Sequence, residues 1–83
     1  MKLLFQNSQG KERVIAEIDS FEEACSEMDK FMEERSFNSY YKRLWDRDGR
    51  MIVDVGSWTE FFIIEGYTLE DVYKEQDEKV DNG

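Results

Sequence analysis

Between residues 20 and 35 the chain carries a pattern that one kind of element satisfies. Ser20 is followed three residues later by Glu23, the spacing of a capping box. In that motif the serine oxygen takes a free amide of the first helical turn and the glutamate reaches back to the cap. Apolar residues then fall at Phe21, Ala24, Cys25, Met28, Phe31 and Met32, which is one stripe of a helix. The opposite face carries Glu22, Glu23, Glu27, Asp29, Glu33 and Glu34 against Lys30 and Arg35. A chain of 83 residues makes one domain with a modest core. The rest of it must therefore cover this stripe, and Met28 and Phe31 are expected to be buried.

The flanking segments alternate with a period of two. Residues 2–6 read as a first strand and residues 12–18 as a second, joined by the turn chemistry of Asn7-Ser8-Gln9-Gly10. In the second strand Val14, Ala16 and Ile18 share one face, with Arg13 and Glu17 on the other. Ile15 is the exception on the polar side. After a loop in which Asn38 is the helix-exit residue, residues 40–46 form a third strand. Asp48-Gly49 is a two-residue hairpin signal, because both central residues of a type I′ turn need positive φ. That loop sets Arg47 against Arg50, Trp45 against Ile52, Leu44 against Val53 and Arg43 against Asp54, the last an opposite-charge cross-strand pair. Residues 58–64 are apolar on both faces, which predicts a central strand. Thr68 and Asp71 begin a short helix pattern over residues 68–76, with Leu69, Val72 and Tyr73 on one side.

The predicted order ββαβββ, with a short C-terminal helix, is an α+β fold: a mostly antiparallel five-stranded sheet with the main helix on one face. A single domain is expected over residues 1–76, and a disordered acidic tail over residues 77–83. One helix covers one face. Tyr41, Trp45 and Ile52 remain on the other, so either the tail helix covers them or a second chain does. The latter option predicts a homodimer through Tyr41, Trp45 and Ile52.

Composition removes most chemistry. There is no histidine and one cysteine, so histidine-based catalysis, zinc sites and an intrachain disulfide are excluded. Asp46-Arg47-Asp48-Gly49 resembles part of a calcium loop, but setting Gly49 at the loop's glycine puts Leu44 and Val55 where carboxylates are needed. No glycine-rich phosphate loop is present. The expectation is a protein that is not an enzyme and takes no cofactor. Cys25 on the apolar stripe and the lack of a membrane-spanning run predict a cytoplasmic protein. Net charge is −9, concentrated as −4 over residues 20–36 and −5 over residues 65–83. Such a surface repels nucleic acid and favours a basic partner.

Met1-Lys2-Leu3-Leu4-Phe5, Ser20-Phe21-Glu22-Glu23-Ala24 and Asp54-Val55-Gly56-Ser57-Trp58-Thr59-Glu60-Phe61-Phe62 resemble small acidic proteins encoded by phages and prophages of Gram-positive bacteria. The resemblance implies a protein-binding module acting in the bacterial host cell. Some such proteins inhibit host defence, anti-CRISPR proteins among them, by covering basic nucleic-acid-binding sites. On that reading the partner is a host protein with a basic surface. The contact residues are then Glu23, Glu27, Asp29, Glu33 and Glu34, taken from the helix face. The alternative is a structural or regulatory homodimer in which charge serves solubility only.

Overall fold

A computed structural model of the chain describes residues 1–37 and 41–80, with side chains as far as Lys74. Its elements are β1 (Lys2–Gln6), β2 (Glu12–Glu17), α1 (Phe21–Glu34), β3 (Arg43–Arg47), β4 (Arg50–Asp54), β5 (Phe61–Glu65) and α2 (Leu69–Val80). The strands form one sheet in the order β2-β1-β5-β4-β3, and every neighbouring pair is antiparallel. The architecture is α+β, and the doubly apolar β5 takes the centre. Asn38 and Tyr40, read as a helix exit and a strand start, lie outside the described residues. The helix expected over residues 68–76 continues to Val80, taking in the first part of the segment expected as tail; residues 81–83 lie outside the described residues.

The Asp48-Gly49 hairpin has the expected register, with Arg43 opposite Asp54 and Trp45 opposite Ile52. Asp48 and Gly49 both have positive φ, at 54° and 77°, as a type I′ turn requires. The β1–β2 connection is held by Asn7, whose side-chain oxygen accepts from the amides of Gln9 and Lys11.

β2 departs from simple alternation. Leu3 pairs with Ala16 but Leu4 pairs with Val14, so Ile15 is the extra residue of a β-bulge. This corrects the face assignment. Val14 leaves the face of Ala16 and Ile18 and stands half-exposed on the other side. Ile15 instead packs against the main core.

Ser20 caps α1, its hydroxyl accepting from the Glu23 amide at 3.1 Å. The Glu23 carboxylate accepts from the Asp19 amide, one residue before the cap itself. At the other end the Phe37 amide reaches the Met32 carbonyl and the Ser36 amide the Glu33 carbonyl, with Ser36 at φ 56°. That is a Schellman motif, and it sets Phe37 beside Met32.

Ala24, Met28 and Met32 bury the stripe against Leu3, Met51, Val53, Phe62 and Ile64. Phe31 is only partly buried, a correction to the expectation. It lies at the stripe's margin, 4.7 Å from the Phe5 ring. Val72 and Leu69 of α2 join this same core, and the Leu69 amide donates to Asp46 of β3. The tail helix therefore lies on the α1 side, and among the described residues no helix covers the second face of the sheet.

Candidate interaction surface

The second face has its own apolar row. Val14, Leu4, Ile63, Ile52 and Trp45 stand opposite one another across all five strands. Among the described residues no helix lies over them, yet Leu4 is 6%, Ile63 1% and Ile52 5% exposed. The cover is ionic. Arg50 donates two hydrogen bonds to Glu12, at 2.7 and 3.1 Å, and lies 3.6 Å from Glu65. Glu12 is on β2 opposite Gln6; Arg50 is on β4 opposite Glu65, which faces Lys2. In a flat sheet these positions are about 20 Å apart along a diagonal, from strand spacing and rise. Sheet twist brings one pair of diagonal corners together over one face, and this pair closes the gap. The midpoint of the diagonal is the Leu4–Ile63 pair. An ion pair joining these corners must span that midpoint, and long side chains cover apolar surface with their stems. Arg50 hydrogen-bonding holds the Glu12 carboxyl below its ordinary value, against an opposing effect of burial. The same contact raises Arg50.

Beside this latch the face opens. Tyr41, Arg43, Trp45, Asp54, Trp58 and Phe61 line a cleft of about 400 Å³. Trp45 and Phe61 meet edge to face at 6.1 Å. Arg43 bonds to Asp54 at 3.2 Å and lies over the Tyr41 ring. The other Asp54 oxygen accepts from the Gly56 amide at 2.9 Å, which starts the turn into β5. Trp58 stands on this turn and is 95% exposed. This corrects its reading as the first residue of a strand over residues 58–64. β5 begins at Phe61, where pairing with Gln6 of β1 begins.

The five acidic residues expected to bind a partner are on α1, but not equally free. Glu23 serves the helix start. Asp29 accepts from Lys42 at 3.0 Å, and Glu27 lies 4.0 Å from Lys30. Glu33 and Glu34 are exposed and make no ion pair among the described residues. They sit in the last turn, which holds no base, against the sign the helix dipole favours. Of the self-association residues, Ile52 is buried, Trp45 is half-buried and Tyr41 is 47% exposed. Burial raises the Cys25 thiol, with nearby Lys42 opposing.

Sequence reasoning missed Trp58 as a surface residue, although Gly56-Ser57 before it marks a turn. It also missed the Glu12–Arg50 contact, for which no local signal exists. No helix among the described residues is long and apolar enough to cross a membrane. Comparison with protein-family models, curated proteins and solved structures finds no match.

Proposed function

We propose that this chain is a non-catalytic module that binds a basic protein partner, anchored by Trp58 and the aromatic cleft beside it. The observation that carries the reading is the 95% exposure of Trp58 next to Tyr41, Trp45 and Phe61. An exposed tryptophan contributes nothing to a monomer's core, whereas tryptophans are the commonest anchors of protein interfaces. Net charge of −9 supports a basic partner through steering, with Glu33 and Glu34 the freest of the five expected contact residues. Inhibition of a host nucleic-acid-binding protein is the form this binding takes if the resemblance to phage proteins holds.

The test compares two variants in capture from a Gram-positive host lysate and then against the purified partner. Trp58→Ser should leave the melting temperature unchanged and weaken the complex by at least about 30-fold, the equivalent of a 2 kcal/mol anchor. Replacing Glu27, Glu33 and Glu34 together by Gln should slow association and reduce its salt dependence. If Trp58→Ser binds as well as the parent while the triple variant does not, the contact is the acidic helix face. Light scattering at micromolar concentration that gives a dimer mass, lost on Trp58→Ser, would assign the cleft to self-association instead.

A further inference from the structure

The other side of the sheet carries a second concavity, of different character. Phe5, Phe31, Met32, Phe37, Val55 and Phe62 line a pocket of about 280 Å³, with Arg35 and Glu60 at its rim. Its floor is a set of three phenylalanines: Phe31 and Phe62 lie 4.7 and 5.6 Å from Phe5 and 5.7 Å from each other. One wall is built by the Schellman turn that brings Phe37 beside Met32. The volume is about twice that of an apolar protein cavity that takes up benzene. It suits one aromatic ring with a short chain.

Around this pocket and the cleft next to it the bases Arg35, Arg13 and Lys11 outnumber the acids Glu60 and Glu12, on a protein that is otherwise strongly acidic. The Arg35 guanidinium carbon lies 4.8 Å from the Phe5 ring centre and 5.0 Å from that of Phe31. Arg13 approaches Phe31 at 5.7 Å. These contacts hold the charges in place and use none of the N–H donors. The acid nearest Arg35, Glu60, is 3.8 Å away, too far to accept a hydrogen bond. Arg13 and Lys11 have no ion pair among the described residues; Glu12, which also lines their cleft, is paired with Arg50. Arg35, Arg13 and Lys11 line one cleft beside Phe5, with Glu12 the acid among its lining residues.

We propose that this pocket binds a small organic acid, an arylalkyl carboxylate, whose ring lies on Phe5, Phe31 and Phe62 and whose carboxylate takes the N–H donors of Arg35. The guanidinium presents its donors in a fork that fits a carboxylate. Arg13 supplies the second positive charge. Glu60 competes for Arg35, so binding draws Arg35 from a loose contact into a bidentate one. This pocket and the Trp58 cleft share only Ser57 among their lining residues, and the proposal does not rest on the Trp58 reading.

The test is an amide-resolved NMR titration of the whole chain with 3-phenylpropionate, 3-phenylpropanamide and inorganic phosphate. Saturable shifts at Phe5, Phe31, Phe37 and Val55 are expected with the carboxylate below about 10 mM, the weak range of a fragment-sized ligand. The carboxamide should bind at least about tenfold more weakly, as the loss of a charge-assisted contact requires. Arg35→Gln should lose a similar factor with the spectrum otherwise intact. Equal binding of acid and amide by the parent protein would overturn the proposal, whether or not the variant folds. So would phosphate binding as tightly as 3-phenylpropionate at the same residues, and so would shifts confined to the Trp58 cleft.

Discussion

Replacing Glu12 by Gln tests whether the ion pair across the open face holds the sheet in its coiled form. The change keeps the size of the side chain and removes its charge. Arg50 is not left bare, because Glu65 stays 3.6 Å away. The pair is neither fully exposed nor buried: the two side chains are 31% and 30% accessible. Exposed pairs contribute less than about 1 kcal/mol, while bidentate guanidinium–carboxylate contacts are stronger than single ones. A coupling of about 1–1.5 kcal/mol follows, part of it from apolar cover over Leu4 and Ile63. In a domain of this size about 1 kcal/mol lowers the melting temperature by roughly 4–8 °C. The assay is a double-mutant cycle with Glu12→Gln and Arg50→Gln, read by urea unfolding at several pH values. Because the folded Glu12 carboxyl is depressed, its contribution is fully present above the ordinary carboxylate range and is lost as pH falls through the folded value. The gap between parent and Glu12→Gln should therefore hold at neutral pH and close in acid. A coupling under about 0.3 kcal/mol, within the scatter of independent sites, would refute the latch. A gap that persists in acid would refute its electrostatic origin.

Two further outcomes test the packing. Ser36→Gly should stabilise the chain by up to about 1 kcal/mol in chemical denaturation, since Ser36 sits at φ 56° in the position glycine fills most easily. Met28→Ala should cost about 2–5 kcal/mol, while Phe31→Ala should cost less than the 3–5 kcal/mol of a fully buried phenylalanine, because Met28 is wholly enclosed and Phe31 is not. Urea midpoints of the two variants should fall in that order.

Local chemistry made the helix and the second hairpin legible. Ser20 and Glu23 mark a helix start by their spacing, and Asp48-Gly49 selects a turn that few other residues tolerate. The central place of β5 followed from its two apolar faces. The bulge was not legible: one inserted residue shifts an alternating pattern, and Ile15 looked like an isolated exception until pairing showed Val14 against Leu4. Trp58 was absorbed into an apolar run whose true start is set by partner strands, not by its own composition. The acidic residues of α1 were placed correctly on its surface. Their availability depends on contacts such as Lys42 with Asp29, which join separate elements. Arg50 and Glu12 are 38 residues apart, and nothing periodic connects them.

The strand order has a consequence for how the chain folds. β1–β2 and β3–β4 are neighbours in sequence and can zip as local hairpins, but neither touches the other in the sheet. β5, made after both, pairs with β1 on one side and β4 on the other. β4 and β5 are also neighbours in sequence, so the rate-limiting event should be the pairing of β5 with β1, which closes the longest loop between paired strands before its contacts are gained. Until it happens β1 and β5 each keep a bare edge, and those two edges are where a newly made chain is most open to pairing with another.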